Sequence, residues 1–267
     1  VRGRATRDAG ISPAANSLIP DYFPPSRVAL PLTLYSIGGS AGTGLAFIFG
    51  GTIIDYVSSL GRINIPLFGE IAGWQASFLV AGAPGLLVAA AFLIIKEPPR
   101  RGKLGGETRA SVSIGATARL LKQKRAFLIP QFCASAACAL TILSIVAWMP
   151  TFLIRTYGYT AGEAGLRYGL AVLVGGIAGL IISGAVANRL AAMGRRDASI
   201  IVALGCTLLA VIPAIIAPVL HNSMATLWLS GISIFGFASA IALAPVALPV
   251  VIPNEMRGQV YALYLLT

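Results

Sequence analysis

Long apolar stretches alternate with short polar connections along most of this 267-residue chain. An α-helix needs about 20 apolar residues to cross the hydrocarbon core of a bilayer, and six stretches reach that length. They run from Val28 to Ile54, Ala76 to Ile95, Ala126 to Ile154, Gly165 to Ala192, Ser199 to Leu220 and Met224 to Val251. Because their apolar residues lack the strict alternation of barrel strands, we predict six membrane-spanning helices.

Two further stretches at the ends of the sequence have the same character. Residues 1–20 resemble the end of an earlier span, and residues 259–267 resemble the start of a later one. We therefore expect the chain to be incomplete at both ends. The first nine residues have no apolar core of the kind a secretory signal peptide needs.

Composition excludes an ordinary soluble protein. Hydrophobic residues make up 57% of the chain and charged residues only 11%, against about 25% charged in a typical soluble domain. The net charge of +11 would otherwise favour nucleic-acid binding. Since the basic residues cluster between the spans without interleaved aromatic residues, we expect a lipid bilayer as partner and no nucleic acid.

The distribution of basic residues predicts which side of the membrane each connection faces. Residues 96–125 form the longest polar segment and carry nine lysines and arginines, which places this segment in the cytoplasm. Alternation of sides then places the connections around Arg27, Arg189 and Arg257 in the cytoplasm as well. Three arginines near the start of the chain do not fit this arrangement: Arg2, Arg4 and Arg7.

The same polar segment divides the chain. It opens with Pro98, Pro99 and Gly102, which interrupt any helix, so we interpret it as a linker. The predicted organisation is the C-terminal part of a first bundle in residues 1–95, a basic cytoplasmic linker in residues 96–125 and a second bundle in residues 126–267. Phe23–Arg27 and Ile252–Arg257 are short, similar segments at matching places in the two parts, which indicates an internal repeat.

Small residues recur every four positions in two spans, so each series lies on one helix face. The first series is Gly38, Gly42, Ala46 and Gly50, and the second is Gly175, Gly179, Ser183 and Ala187. Such faces permit close helix approach, and two interpretations are open: static packing, or helices that rock past one another.

Ionisable residues inside spans are the main indicators of function in a membrane chain. Asp8 precedes an apolar stretch and is predicted to lie at depth, whereas Asp55 and Arg155 lie near a membrane surface. Glu163 and Arg167 have the spacing of an ion pair. The three cysteines lie in apolar stretches without metal-ligand spacing and are interpreted as core residues. No motif for an enzyme or a cofactor is present.

Several segments resemble the major facilitator superfamily of transporters, most closely its spinster-like branch. Residues 8–19 are similar to the fourth helix of that branch, and Trp148 to Leu153 followed by Arg155 is similar to the end of its seventh helix. Residues 184–196, with Asn188 and Arg189, resemble the cytoplasmic loop motif of the second half. The anion:cation symporter branch shares several of these patterns.

The resemblance implies an all-α membrane protein with two bundles of six helices and a central cavity, of which this chain is the fourth to the eleventh helix. It implies a monomeric, multi-pass symporter of the cytoplasmic (inner) membrane that moves a small organic solute by alternating access, coupled to protons or another ion. Asp8, Arg155 and Trp148 are the implied transport or coupling residues. Implied gating-loop residues are Arg27, Asn188, Arg189 and Arg257.

Two departures from the family pattern affect these roles. Asp8 stands where a glutamate is usual, which shortens the reach of the carboxylate, and Asn188 stands where an aspartate is usual, which removes a charge. The alternatives to a transporter are a membrane receptor or scaffold that does not transport, and an inactive truncated transporter fragment.

Overall fold

A computed structural model of the chain describes residues 29–61, 63–65, 69–92, 114–195 and 197–248, together with residues 252, 256, 260, 263 and 264. The elements are α1 (Ala29–Ser59), β1 (Ile63–Ile65), β2 (Gly69–Ile71), α2 (Gly73–Phe92), α3 (Ile114–Gln123), α4 (Arg125–Tyr157), α5 (Ala161–Ala192), α6 (Ala198–Ile216) and α7 (Ser223–Leu243). Six of these helices, all except α3, are long and apolar enough to cross a membrane. The six predicted spans are confirmed.

The structure adds two elements that hydropathy did not predict. Strands β1 and β2 form an antiparallel hairpin between the first two spans, in which Ile63 pairs with Ile71 and Ile65 with Gly69. The ten-residue helix α3 lies inside the predicted linker and ends next to α4. Both elements are too short or too polar to register as apolar stretches.

The last predicted span changes its helix type near its end. Helix α7 stops at Leu243, and a 3₁₀ helix, Ala244–Ala247, follows it. Residues 249–251, at the end of the predicted span, lie outside the described residues. Pro245 has no backbone N–H to continue the hydrogen bonds of the α-helix, and it lies at the start of the 3₁₀ helix.

The turn between α4 and α5 is defined by two capping residues. Gly158 has a φ of +70°, and its N–H donates to the Ile154 carbonyl at 3.1 Å, a conformation that glycine adopts without a Cβ clash. Thr160 then caps α5: its hydroxyl accepts from the Glu163 N–H, while the Glu163 carboxylate accepts from the Thr160 N–H. The predicted Glu163–Arg167 ion pair is replaced by this capping box.

The core lies among α4, α5 and α7. Leu153, Ala164 and Tyr168 are fully buried there, while large apolar side chains such as Leu140 and Ile212 are exposed on the outer faces of their helices. An outer surface of this kind is stable in lipid and not in water. Of the three cysteines, Cys138 and Cys206 are buried as predicted, but Cys133 is exposed, so its interpretation as a core residue is wrong.

Candidate functional site

Helices α1 and α5 touch through their backbones along a seam of glycines. A Cβ atom placed on Gly165 would collide with the Phe47 carbonyl oxygen and would lie 2.9 Å from the Gly51 Cα. A Cβ on Gly51 would in turn collide with the Ala161 carbonyl oxygen. No side chain fits at either position. The two helices can therefore approach this closely only because Gly51 and Gly165 have no Cβ atom.

A second contact of the same kind lies one turn further along α5 and two turns earlier in α1. A Cβ on Gly169 would lie 2.7 Å from the Gly44 carbonyl oxygen, and a Cβ on Gly44 would lie 2.9 Å from the Gly169 carbonyl oxygen. We call Gly44, Gly51, Gly165 and Gly169 the glycine seam. Because the seam joins a helix of the predicted first bundle to one of the predicted second bundle, it is a contact across the proposed division of the chain.

The seam closes one end of this helix pair. Its contacts run antiparallel, from Ser40 against Gly176 to Asp55 against Gly162, and therefore involve the C-terminal part of α1 and the N-terminal half of α5. The predicted orientation places this closed end toward the outside of the membrane.

Tyr168 connects the glycine seam to α4 through its side-chain contacts. Its ring is fully buried and packs edge-to-face on Phe47 of α1, with ring centroids 5.2 Å apart. Its hydroxyl donates to the Ile145 carbonyl at 3.2 Å. One aromatic side chain therefore joins three helices.

Asp55 forms a polar contact at the closed end. Its Oδ2 accepts from the backbone N–H of Gly162 at 2.7 Å, in the first turn of α5. A carboxylate is favoured at this position because the first amides of a helix have no partner within the helix and the helix dipole is positive there. The carboxylate at the end of α1 thus caps a helix of the other predicted bundle.

Removing that carboxylate should loosen the closed end. We expect Asp55→Ala to destabilise the protein by about 1 kcal/mol, the usual contribution of a helix-capping side chain, and to speed deuterium exchange at the Gly162 amide. Asp55→Asn keeps an acceptor oxygen and should show less than half of both effects. Equal exchange at Gly162 in all three proteins would contradict this assignment.

Tyrosines and an arginine form a polar network at the same end of the predicted second bundle. The Tyr157 hydroxyl donates to the Leu220 carbonyl at 2.7 Å, and the Tyr159 hydroxyl donates to Ser223 Oγ at 2.8 Å. The Arg167 guanidinium lies 4.6 Å from the centroid of the Tyr159 ring, and its Nη1 donates to the Tyr159 hydroxyl at 2.8 Å. This network ties the α4–α5 turn to the start of α7 and gives Arg167 a cation–π partner.

The two described transport candidates lie on α4. Trp148 is 70% exposed and Arg155 is exposed as well. They are seven positions apart in the helix, so they share one helix face and lie about 10 Å apart along its axis. Asp8, Arg27 and Arg257 lie outside the described residues.

The remaining predicted residues divide into two groups. Asn188 and Arg189 are exposed in the last turn of α5, where a cation is favoured by the helix dipole. Gly175 and Gly179 pack closely on α7, where a Cβ would lie 2.5 Å from the Gly231 carbonyl oxygen and 2.6 Å from that of Phe235, respectively.

The first small-residue series faces away from the seam. No described atom lies within 4 Å of a Cβ built on Gly38, Gly42 or Gly50. Their role in helix packing therefore stays a prediction, while α1 contacts α5 through Gly44 and Gly51 on the other side of the helix. Both faces of α1 carry glycines at helical spacing, so spacing alone could not choose between them.

This geometry defines a class of protein: a multi-pass helical membrane protein in which helices of two predicted bundles close on each other at one end. Comparison with known protein families shows to which family the chain belongs: the model of the Major Facilitator Superfamily matches residues 7–267. The chain belongs to the major facilitator superfamily. Members of this superfamily are transporters and not enzymes, which confirms the prediction that the chain is not an enzyme.

Individual relatives agree with this assignment. The chain is 28% identical over 269 residues to an MFS-type efflux pump of Mycolicibacterium smegmatis, with 98% of this chain and 57% of the pump aligned. It is similar in fold to a bacterial homologue of the human lysosomal transporter Spinster. The inward-facing, unoccupied structure of that homologue gives a TM-score of 0.67 at 23% identity, covering 97% of this chain and 57% of that one.

The inward-facing, occupied structure of a bacterial Spinster homologue gives a TM-score of 0.62 at 25% identity, covering 97% of this chain and 55% of that one. The chain thus spans a little over half the length of the relatives that it matches. These matches confirm the predicted family and the predicted likeness to Spinster proteins.

Proposed function

We propose that the complete protein moves a small organic solute across the cytoplasmic membrane by alternating access, with coupling to protons. The observation that carries this proposal is the glycine seam, which closes α1 on α5 across the two predicted bundles. A seam without interlocking side chains can open and close with little repacking. We infer that the closed seam belongs to the state that is open to the cytoplasm, because the predicted orientation places the seam toward the outside.

Trp148 and Arg155 are the proposed solute-binding and coupling residues within the described part of the chain, and Asp8 is the proposed proton-coupling carboxylate. An exposed tryptophan offers a flat apolar surface to an organic solute, and an arginine near the closed end offers a fixed positive charge. A carboxylate inside a span is the group whose protonation can follow the gradient.

The proposal leaves two directions of coupling, in which the solute and the proton move together or in exchange. Sequence resemblance favours symport, whereas the efflux activity named for the M. smegmatis relative favours exchange of solute for protons. Either direction requires the lumen pH of a sealed vesicle to change when a transported solute is added.

Proteoliposomes that enclose the pH-sensitive dye pyranine test this directly. Ethidium and glucuronate serve as a cationic and an anionic probe, each added with and without an imposed pH gradient. We expect the solute to change the lumen pH and a protonophore to abolish this change. The sign of the pH change distinguishes symport from exchange. A receptor or scaffold would give no change with any solute or gradient.

Variants then test the residues. Trp148→Ala and Arg155→Gln should each lower the transport rate about tenfold, equivalent to about 1.4 kcal/mol. Trp228→Ala is the matched control, because Trp228 is 75% exposed on α7 and has no proposed role. Equal rates in all four proteins would remove Trp148 and Arg155 from the proposed site.

A further inference from the structure

The short helix α3 has one side that packs on the protein. Thr117 is only 4% exposed, and Leu120 and Leu121 are half-buried against a cluster of buried residues that includes Leu128 of α4. Positions 117, 120 and 121 have i, i+3 and i+4 spacing and therefore lie on the same side of the helix. This packing holds α3 against the beginning of α4.

The opposite side of α3 is basic. Arg119 and Lys122 are exposed on that side, and Lys124 and Arg125, at the junction with α4, are exposed as well. We call these four residues the basic patch. None of them forms an ion pair with a described residue, and the sequence contains no acidic residue between positions 108 and 162. The described part of the chain therefore supplies no partner for these charges.

The length of α4 fixes the depth of the basic patch in the membrane. Helix α4 has 33 residues and is therefore about 50 Å long, against about 40–45 Å for a bilayer with its headgroups. Ile129, one turn after Arg125, is 58% exposed, so the apolar surface of the span begins about 6 Å from Arg125 along the axis. The basic patch thus lies at the level of the headgroups, on the side that is predicted to be cytoplasmic.

We propose that the basic patch binds the headgroups of anionic phospholipids in the cytoplasmic leaflet. Each lysine or arginine near an anionic membrane surface contributes favourable electrostatic energy, and clusters of about four to eight next to a span are typical of lipid-binding segments. A further apolar helix is not a suitable partner, because it would leave the four charges against hydrocarbon. Since Leu120 and Leu121 hold α3 on the bundle, its charges are already in place before a lipid binds.

Native mass spectrometry of the purified full chain in detergent tests this binding. The protein is mixed with equal amounts of dioleoyl phosphatidylglycerol and dioleoyl phosphatidylcholine, which have the same acyl chains and differ in headgroup charge. We expect phosphatidylglycerol to be retained about tenfold more than phosphatidylcholine. A parallel sample with poly-glutamate tests an acidic protein surface as the alternative partner.

Variants locate the binding on α3. Arg119→Gln with Lys122→Gln should lower retention of phosphatidylglycerol about tenfold, because two charges are lost, and should leave retention of phosphatidylcholine unchanged. Arg119→Lys with Arg125→Lys keeps the charge and should retain most of the lipid. The matched control is Arg189→Gln with Arg195→Gln, which removes two exposed charges near the connection between α5 and α6 and should have little effect.

Three outcomes would overturn the proposal. Equal retention of the two phospholipids would show that headgroup charge is not recognised. An equal loss in the matched control would show that general surface charge, and not α3, holds the lipid. Retention of poly-glutamate without retention of phosphatidylglycerol would identify an acidic protein as the partner. Since none of these measurements involves solute transport, their result is independent of the proposed transport function.

Discussion

Replacing Gly165 by leucine is expected to separate α1 from α5. The new side chain would begin in contact with the Phe47 carbonyl oxygen, and a backbone atom cannot move aside as a flexible side chain can. Overpacking against backbone costs about 3 kcal/mol. We expect an apparent melting temperature in detergent that is about 6–12 °C lower than that of the wild type.

A cross-link across the seam reports the separation directly. A Cβ on Gly176 would lie 3.2 Å from the Ser40 Cβ, so Ser40→Cys with Gly176→Cys should form a disulfide under mild oxidation once the three native cysteines are replaced by serine. Adding Gly165→Leu should reduce the cross-linked fraction to the level of an unoxidised sample.

The matched control is Gly205→Leu, because a Cβ on Gly205, an exposed glycine of α6, meets no described atom within 4 Å. It should leave both the melting temperature and the cross-link unchanged. A seam that still cross-links fully with Gly165→Leu would show that α1 and α5 can shift to admit a side chain, and would remove the steric basis of the proposed closure.

Replacing Tyr168 by alanine is expected to destabilise the protein by about 3–5 kcal/mol, the range for removing a buried aromatic side chain. The ring is fully buried and contacts Phe47 of α1, while the hydroxyl bonds to Ile145 of α4. Its loss therefore leaves a cavity where three helices meet, and unfolding in a denaturant series measures the change.

Tyr168→Phe separates the ring from the hydroxyl. Phenylalanine keeps the edge-to-face contact and loses only one hydrogen bond, so we expect a cost of about 1 kcal/mol. If phenylalanine and alanine destabilise the protein equally, the bond to Ile145 carries the stability and the ring packing does not.

The membrane spans could be read from the sequence because the bilayer imposes one strong requirement. Each span must satisfy its own backbone hydrogen bonds over about 20 apolar residues, and this produces a signal within a single stretch of chain. The hairpin of β1 and β2 and the helix α3 produce no such signal, because they lie in the polar connections.

The contacts of the candidate site depend on residues that are far apart in the chain. Gly51 and Gly165 are separated by more than 100 residues, and nothing in either local sequence indicates the partner. Asp55 likewise has an ordinary position at the end of a span, and its role as the cap of Gly162 depends on how α1 lies against α5.

The sequence by itself determined the class of the protein, its family and its membrane spans, since composition, apolar length and short motifs are local properties. Tertiary structure decided which face of α1 packs on α5. That face contains Gly44 and Gly51 and not Gly38, Gly42 and Gly50, although both sets have helical spacing. The physical reason is that glycine spacing allows two helices to approach, whereas the choice of face depends on the shape and position of the neighbouring helix.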